Sequence, residues 1–124
     1  MANIAKIKRG ARAWRTGHVA ELCARLWLQM KGYTILRRNW RTPVGEVDIL
    51  AARRDVLVIV EVKYRPRIAD GAEAISPRQQ QRLQRAMAYA AAAYPPYSTL
   101  RIDVMLLAPW RWPHHIHHAW EGTA

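Results

Sequence analysis

The chain has no phenylalanine, a single cysteine and nine acidic residues in 124. With Cys23 alone, no intramolecular disulfide is available, and a lone thiol fits a reducing compartment. Cys23 falls in an apolar helical pattern and reads as a small buried hydrophobe rather than a nucleophile. No apolar run approaches the ~18 residues that cross a bilayer. The opening stretch MANIAKIKRGARAWR is basic but lacks the apolar core of a secretory signal. The expectation is a cytoplasmic protein with no membrane partner. Acid is scarce against 20 Lys and Arg, 16 of them arginine, which leaves a net charge of +11 and a pI near 10.9. Such an excess favours a polyanion, and nucleic acid is the expected partner. Arginine adds bidentate phosphate contacts that lysine does not make.

Length and apolar content, 51% of residues, fit one domain with one modest core. Residues 1–15 carry no acid and are expected to form a basic, flexible arm, with a single α/β domain over 16–124. The spacing predicts a first helix over about 16–31. Val19, Leu22, Cys23, Leu26 and Met30 form one apolar stripe, Thr16 stands at the cap and Gly32 at the C′ position. Glu21 lies beside that stripe. Strands are expected over 33–40, 46–53 and 56–64, the last dense in valine. Ser76-Pro77-Arg78-Gln79 is a capping-box pattern that opens a second helix over 77–93. Its Leu83, Met87 and Ala90 suit a core, and Arg78, Arg82 and Arg85 form a basic stripe. Strands over 99–108 and 114–120 complete the order α-β-β-β-α-β-β, a mixed central sheet flanked by helices.

The stretch GEVDILAARRDVLVIVEVK, residues 45–63, places scarce carboxylates in the most strand-like part of the chain. A two-residue turn at Arg54-Asp55 sets Asp48 opposite Glu61 and Glu46 opposite Lys63, with Val47, Ile49, Val60 and Val62 on the other face. A turn one residue longer or shorter would separate the carboxylates. Opposed carboxylates repel. A divalent cation between Asp48 and Glu61 relieves this, and an oxygen donor set suits Mg²⁺ or Mn²⁺. The competing reading is a set of solvated cross-strand ion pairs.

An acid on one strand followed by Glu-x-Lys on the next, here Asp48 and Glu61-Val62-Lys63, is similar to the PD-(D/E)xK nuclease signature. With Glu21, the run from Gly32 to Arg41, GEVDILA, VIVEVK and Arg101-Ile102-Asp103-Val104, the chain resembles the YraN family of uncharacterised bacterial proteins. That resemblance implies a restriction-endonuclease-like fold similar to archaeal Holliday junction resolvases. It implies a metal-dependent endonuclease acting on DNA, including branched DNA. Glu21, Asp48 and Glu61 would be metal ligands, Lys63 the catalytic lysine, and the protein a homodimer. Valine replaces the proline of the signature, and Gln80 stands where relatives often carry lysine. A non-catalytic nucleic-acid-binding module and a basic protein-interaction adaptor are the alternatives.

Arg37, Arg38, Arg41, Arg65, Arg78 and Arg82 are candidate phosphate contacts. His114, His115, His117 and His118 lack a carboxylate or cysteine near in sequence and read as a polar strand rather than a zinc set. Trp110 and Trp112 flank Arg111. They are expected to cap a core, with stacking on unpaired bases as the alternative. Asp103 reads as a structural ion-pair partner, for which Arg101 is a candidate, or as an acid supporting the site.

Overall fold

The computed structural model describes residues 18–65 and 75–117. In chain order they form α1 (His18–Met30), β1 (Thr34–Thr42), β2 (Gly45–Arg53), β3 (Val56–Tyr64), α2 (Pro77–Ala93), β4 (Thr99–Leu107) and β5 (His114–Ile116). The expected order holds, and the 56–64 strand and the 77–93 helix have the expected bounds. The expected arm, the Thr16 cap, and His118 with the last residues of the final strand lie outside the described residues.

Valine, isoleucine and leucine dominate β2 and β3, and such residues pack well on a pleated surface. The sheet runs β1-β2-β3-β4-β5. Only the β3–β4 pair is parallel, which requires a crossover. Helix α2 lies within that crossover. Its N-terminus carries the capping box foreseen: Gln79 N–H donates to Ser76 Oγ at 3.2 Å, and Ser76 N–H donates to Gln79 Oε1 at 3.2 Å. Gly32 has φ +91° just past α1, the left-handed value expected of a C′ glycine.

The side chains of β3 alternate between two cores. Val58 and Val60 pack with Ala20, Ala24 and Leu28 of α1, and Leu57 and Ile59 pack with Leu83, Ala86, Met87 and Ala90 of α2. The sheet is therefore covered on both faces, the mixed-sheet, restriction-endonuclease-like arrangement expected. Val47 departs from the expected face: it joins the α2 core while Ile49 joins the α1 core.

The larger departure is in α1. Its buried residues are Ala20, Glu21, Ala24 and Leu28. Leu22, Leu26 and Met30, expected in the core, are 44%, 51% and 77% exposed. Cys23 is half-buried against the α1 core. The small side chains of Ala20 and Ala24 bring the helix against the sheet, so the bulkiest stripe is turned outward.

Candidate metal and nucleic-acid site

The turn between β2 and β3 has the two-residue form: Arg53 pairs with Val56, and Arg54 takes φ +56°. Such tight hairpin turns need a left-handed residue. The regular ladder runs from there to Ile49↔Val60 and stops. At the next position Asp48 Oδ2 accepts the Val62 N–H at 2.8 Å. A side-chain oxygen thus replaces a strand carbonyl, and β2 leaves its regular pairing with β3. This departure accounts for Val47, whose side chain no longer follows the alternation set by Ile49.

The expected partnership of Asp48 with Glu61 is present, since the two carboxyl groups stand close enough for their ionisation to be linked. Burial pushes Glu61 up to about 7 and the Asp48 charge adds to this, while Lys63 and Arg82 offset part of it. Burial also raises Asp48, against the Val62 N–H and Lys63. Two carboxyl groups held together away from water thus retain protons that ordinary carboxylates release.

Lys63 does not pair with Glu46 as the register suggested. Its Nζ lies 3.7 Å from Glu61 Oε1. Arg82 reaches the pair from α2, with Nη2 3.5 Å from Glu61 Oε2 and Nη1 donating to the Glu46 carbonyl at 2.8 Å. The arginine passes over Gly45 at φ +137°, where an added Cβ would stand 3.2 Å from Arg82 Cγ.

Glu21 is buried on α1, and among the described residues its carboxylate does not come within 4.8 Å of both Asp48 and Glu61; its link toward them is Asn39. The Asn39 amide donates to Glu21 Oε2 at 2.7 Å. Arg38 pairs with Ile49 and Trp40 with Val47, which sets Asn39 across from Asp48. Asn39 takes φ +46°, a conformation that asparagine tolerates better than most residues. Arg25 Nε stands 3.2 Å from Glu21 Oε1, yet neither buried atom has a hydrogen-bond partner. The pair has ion-pair proximity without hydrogen-bond alignment. Asn39 was not foreseen as a site residue. Its signal was an asparagine, poorly suited to strands, in the middle of a strand-like run.

The candidate phosphate contacts divide. Arg37, Arg38, Arg41 and Arg78 are exposed. Arg37 stands over the Trp40 ring at 5.2 Å, and Arg41 pairs in register with Glu46. Arg65 follows β3, and its N–H donates to the Leu107 carbonyl at 2.9 Å. Arg82 is engaged with Glu61. Gln80 does not reach the carboxylates in this arrangement; its Nε2 donates to the Ile75 carbonyl at 3.3 Å.

A second group lies on β4 and β5. Asp103, His115 and His117 bring ligand atoms within 4.8 Å of one another, a spacing that could hold a metal ion. The carboxylate that the histidines lacked in sequence comes from the neighbouring strand. Arg101 Nε donates to Asp103 Oδ1 at 2.8 Å and Nη2 to Oδ2 at 2.8 Å. His115 Nε2 lies 2.6 Å from Asp103 Oδ2, and His115 Nδ1 lies 2.6 Å from Lys31 Nζ. A protonated lysine only donates. His115 Nδ1 therefore accepts, and Nε2–H donates to Asp103. Arg101 also bonds the Tyr33 hydroxyl. Burial works to raise Asp103, but His115 and Arg101 prevail and hold its carboxyl below the usual range. The ligand positions of Asp103 and His115 are thus occupied by protons and by a guanidinium. The structural role expected for Asp103 agrees with this.

Trp110 and Trp112 do not cap the core. They are 102% and 77% exposed, and Trp112 leans on Trp27 with ring centroids 5.5 Å apart.

Taken together, these features define a small α/β protein in which half-buried Asp48 and buried Glu61 stand close together where its central hairpin opens. A family model described as "Uncharacterised protein family UPF0102" matches residues 20–107. A UPF0102 protein of Parvibaculum lavamentivorans is 45% identical over 114 residues, covering 90% of this chain and 86% of the relative. One from Caulobacter vibrioides is 44% identical over 125 residues, covering 99% and 100%. One from Rhodopseudomonas palustris is 46% identical over 113 residues, covering 90% and 86%. The chain belongs to the UPF0102 family. Among the described residues no helix is long and apolar enough to cross a membrane.

Proposed function

We propose that this chain is a metal-dependent phosphodiesterase acting on DNA, with Asp48, Glu61 and Glu21 as ligands of a Mg²⁺ or Mn²⁺ ion. The observation that carries the reading is the Asp48–Glu61 contact. A basic protein holds two of its few carboxyl groups close together, largely out of water, where burial raises the cost of ionising both and the Asp48 charge raises it further for Glu61. The donor chemistry fits such an ion, because carboxylate oxygens are its preferred ligands. The buried Glu21 Oε1 has no hydrogen-bond partner, which supports the same reading. A bound ion would activate water and stabilise charge developing on a phosphate.

The chain's own groups have separate tasks. Asn39 fixes the Glu21 carboxylate. The Val62 N–H fixes Asp48. Lys63, 3.7 Å from Glu61, offers a positive donor beside the carboxylates for a phosphate oxygen. Arg37, Arg38, Arg41, Arg65 and Arg78 supply charge for the phosphate backbone. The DNA partner and the cytoplasmic location belong to this proposal.

A second reading is a nucleic-acid-binding module without turnover. Arg82 favours it, since its guanidinium already partly neutralises Glu61. The discriminating experiment incubates the full chain with Mn²⁺ and supercoiled plasmid, four-way junction, duplex and single-stranded DNA. The nuclease reading expects cleavage that Asp48→Ala and Glu61→Ala abolish. Salt-sensitive binding without cleavage in Mg²⁺ or Mn²⁺ selects the module. Cleavage unchanged in both variants overturns the site.

A further inference from the structure

We propose that Trp110, Arg111 and Trp112 form a stacking platform for unpaired nucleotides, so that DNA with unstacked bases, rather than continuous duplex, is the preferred ligand. This rests on the reading that the chain binds nucleic acid.

Trp110 is fully exposed and takes φ +61°. For a bulky residue that conformation is uncommon and costs backbone free energy. Exposing an indole also forgoes the stabilisation that burial would give. Among the described residues no contact offsets either cost at Trp110. Trp112 differs in that Trp27 of α1 supports one side of its ring, while most of the side chain faces solvent. Arg111 between them is exposed too. An exposed aromatic, a cation and a supported aromatic in succession match what unpaired bases require. Ring faces stack on bases, and a guanidinium meets the phosphate that joins them.

The topology puts this loop beside the carboxylates. Strands β3 and β4 are parallel and in register, with Glu61 beside Val104, Lys63 beside Leu106 and Tyr64 beside Leu107. The chain leaves β4 at the same sheet end as Lys63, and Trp110 follows Leu106 by four residues. Four residues span at most about 14 Å, and neighbouring strands lie about 4.8 Å apart. A strand of DNA whose phosphate sits at Asp48 and Glu61 therefore has bases within a few nucleotides of the tryptophans.

The competing occupant is a second copy of this chain, because Leu22, Leu26 and Met30 add an apolar stripe to α1. Charge favours the nucleotide: two copies each carrying +11 repel, and Arg111 lies between the tryptophans.

The test is fluorescence anisotropy of the full chain in EDTA, so that binding is read without cleavage. The ligands are a labelled oligothymidylate and a labelled hairpin duplex of equal length. Trp110→Ala is expected to weaken oligothymidylate binding about tenfold and duplex binding less than twofold. Trp110→Phe should restore most of the loss, and the denaturation midpoint should stay unchanged. Trp112→Ala, read in the same way, provides a second variant. Equal weakening on both ligands, or none, overturns the platform. So does a fall in solution mass from dimer to monomer in Trp110→Ala with DNA affinity unchanged, which assigns the loop to a copy–copy interface. Failure of cleavage in the metal experiment leaves the EDTA result standing. Absence of binding to either ligand at low salt overturns both proposals.

Discussion

Asp48 Oδ2 accepts the backbone N–H of Val62 at 2.8 Å, immediately beyond the last regular β2–β3 pair, Ile49↔Val60. One side chain thereby satisfies a strand donor and opens the hairpin where Glu61 enters. Replacing Asp48 by alanine removes more than a charge, because it leaves the Val62 N–H without its acceptor. The isosteric Asp48→Asn keeps an oxygen for Val62 and lowers the charge. It should therefore be closer to wild type in stability than Asp48→Ala, by about 1 kcal/mol in urea unfolding.

The carboxylate pair should make the metal-free protein less stable as pH rises. Glu61 is pushed up to about 7 from 4.5, first by burial and then by Asp48. The folded chain then holds a proton that the unfolded chain releases between those values. Stability present below about pH 4.5 is lost as pH passes through 7, by no more than about 3 kcal/mol. Urea unfolding in EDTA should show the midpoint falling from pH 5 to pH 8. Glu61→Gln should flatten that slope.

The network on β4 and β5 should behave in the opposite sense. Asp103 is held below the usual carboxylate range by His115 and Arg101, against its burial. Its contribution is present above about pH 4 and is lost only in stronger acid. Asp103→Asn should cost about 3–5 kcal/mol at pH 7, since Arg101 and His115 would keep their donors but lose the charge. In a double-mutant cycle, Arg101→Met should recover part of that loss.

Much of the fold was legible because its signals are local. Valine-rich β3 lies between a tight turn and a loop, and Ser76 to Gln79 announce α2 through a capping box that the structure contains. The site was half legible. The hairpin register could be written as two alternatives, and the two-residue turn selected the one that unites Asp48 with Glu61. The face of Val47 was not legible, because strand alternation holds only while strands remain paired. The packing of α1 misled for a different reason. Apolar periodicity finds a stripe of large residues, but close approach of a helix to a sheet is made here by Ala20 and Ala24. The Asp103–His115 contact joins residues on different strands, and no spacing within either strand encodes it.

That reversal in α1 predicts an unusual stability pattern. Leu28 is fully buried, and Leu28→Ala should cost about 2–5 kcal/mol. Leu22→Gln and Leu26→Gln should each fall within about 0.5 kcal/mol of wild type. Chemical denaturation of the three variants checks this directly, and the stripe expected from periodicity would give the reverse order.

Gly45 should resist substitution for two reasons that act together. Its φ of +137° disfavours any side chain, and an added Cβ would press on Arg82 at 3.2 Å. Gly45→Ala should destabilise by about 1–3 kcal/mol and loosen Arg82 from Glu61. Urea unfolding reads the first effect, and a change in the pH slope described above reads the second.

The most direct test of the central claim is where a divalent ion binds. Calorimetric titration of the full chain with Mn²⁺ should show one ion per chain at pH 8, bound more weakly at pH 6, where Glu61 holds its proton. Asp48→Asn should weaken binding at least tenfold, while His117→Ala should bind as wild type. Binding retained in Asp48→Asn and lost in His117→Ala would contradict the account and move the metal to Asp103, His115 and His117.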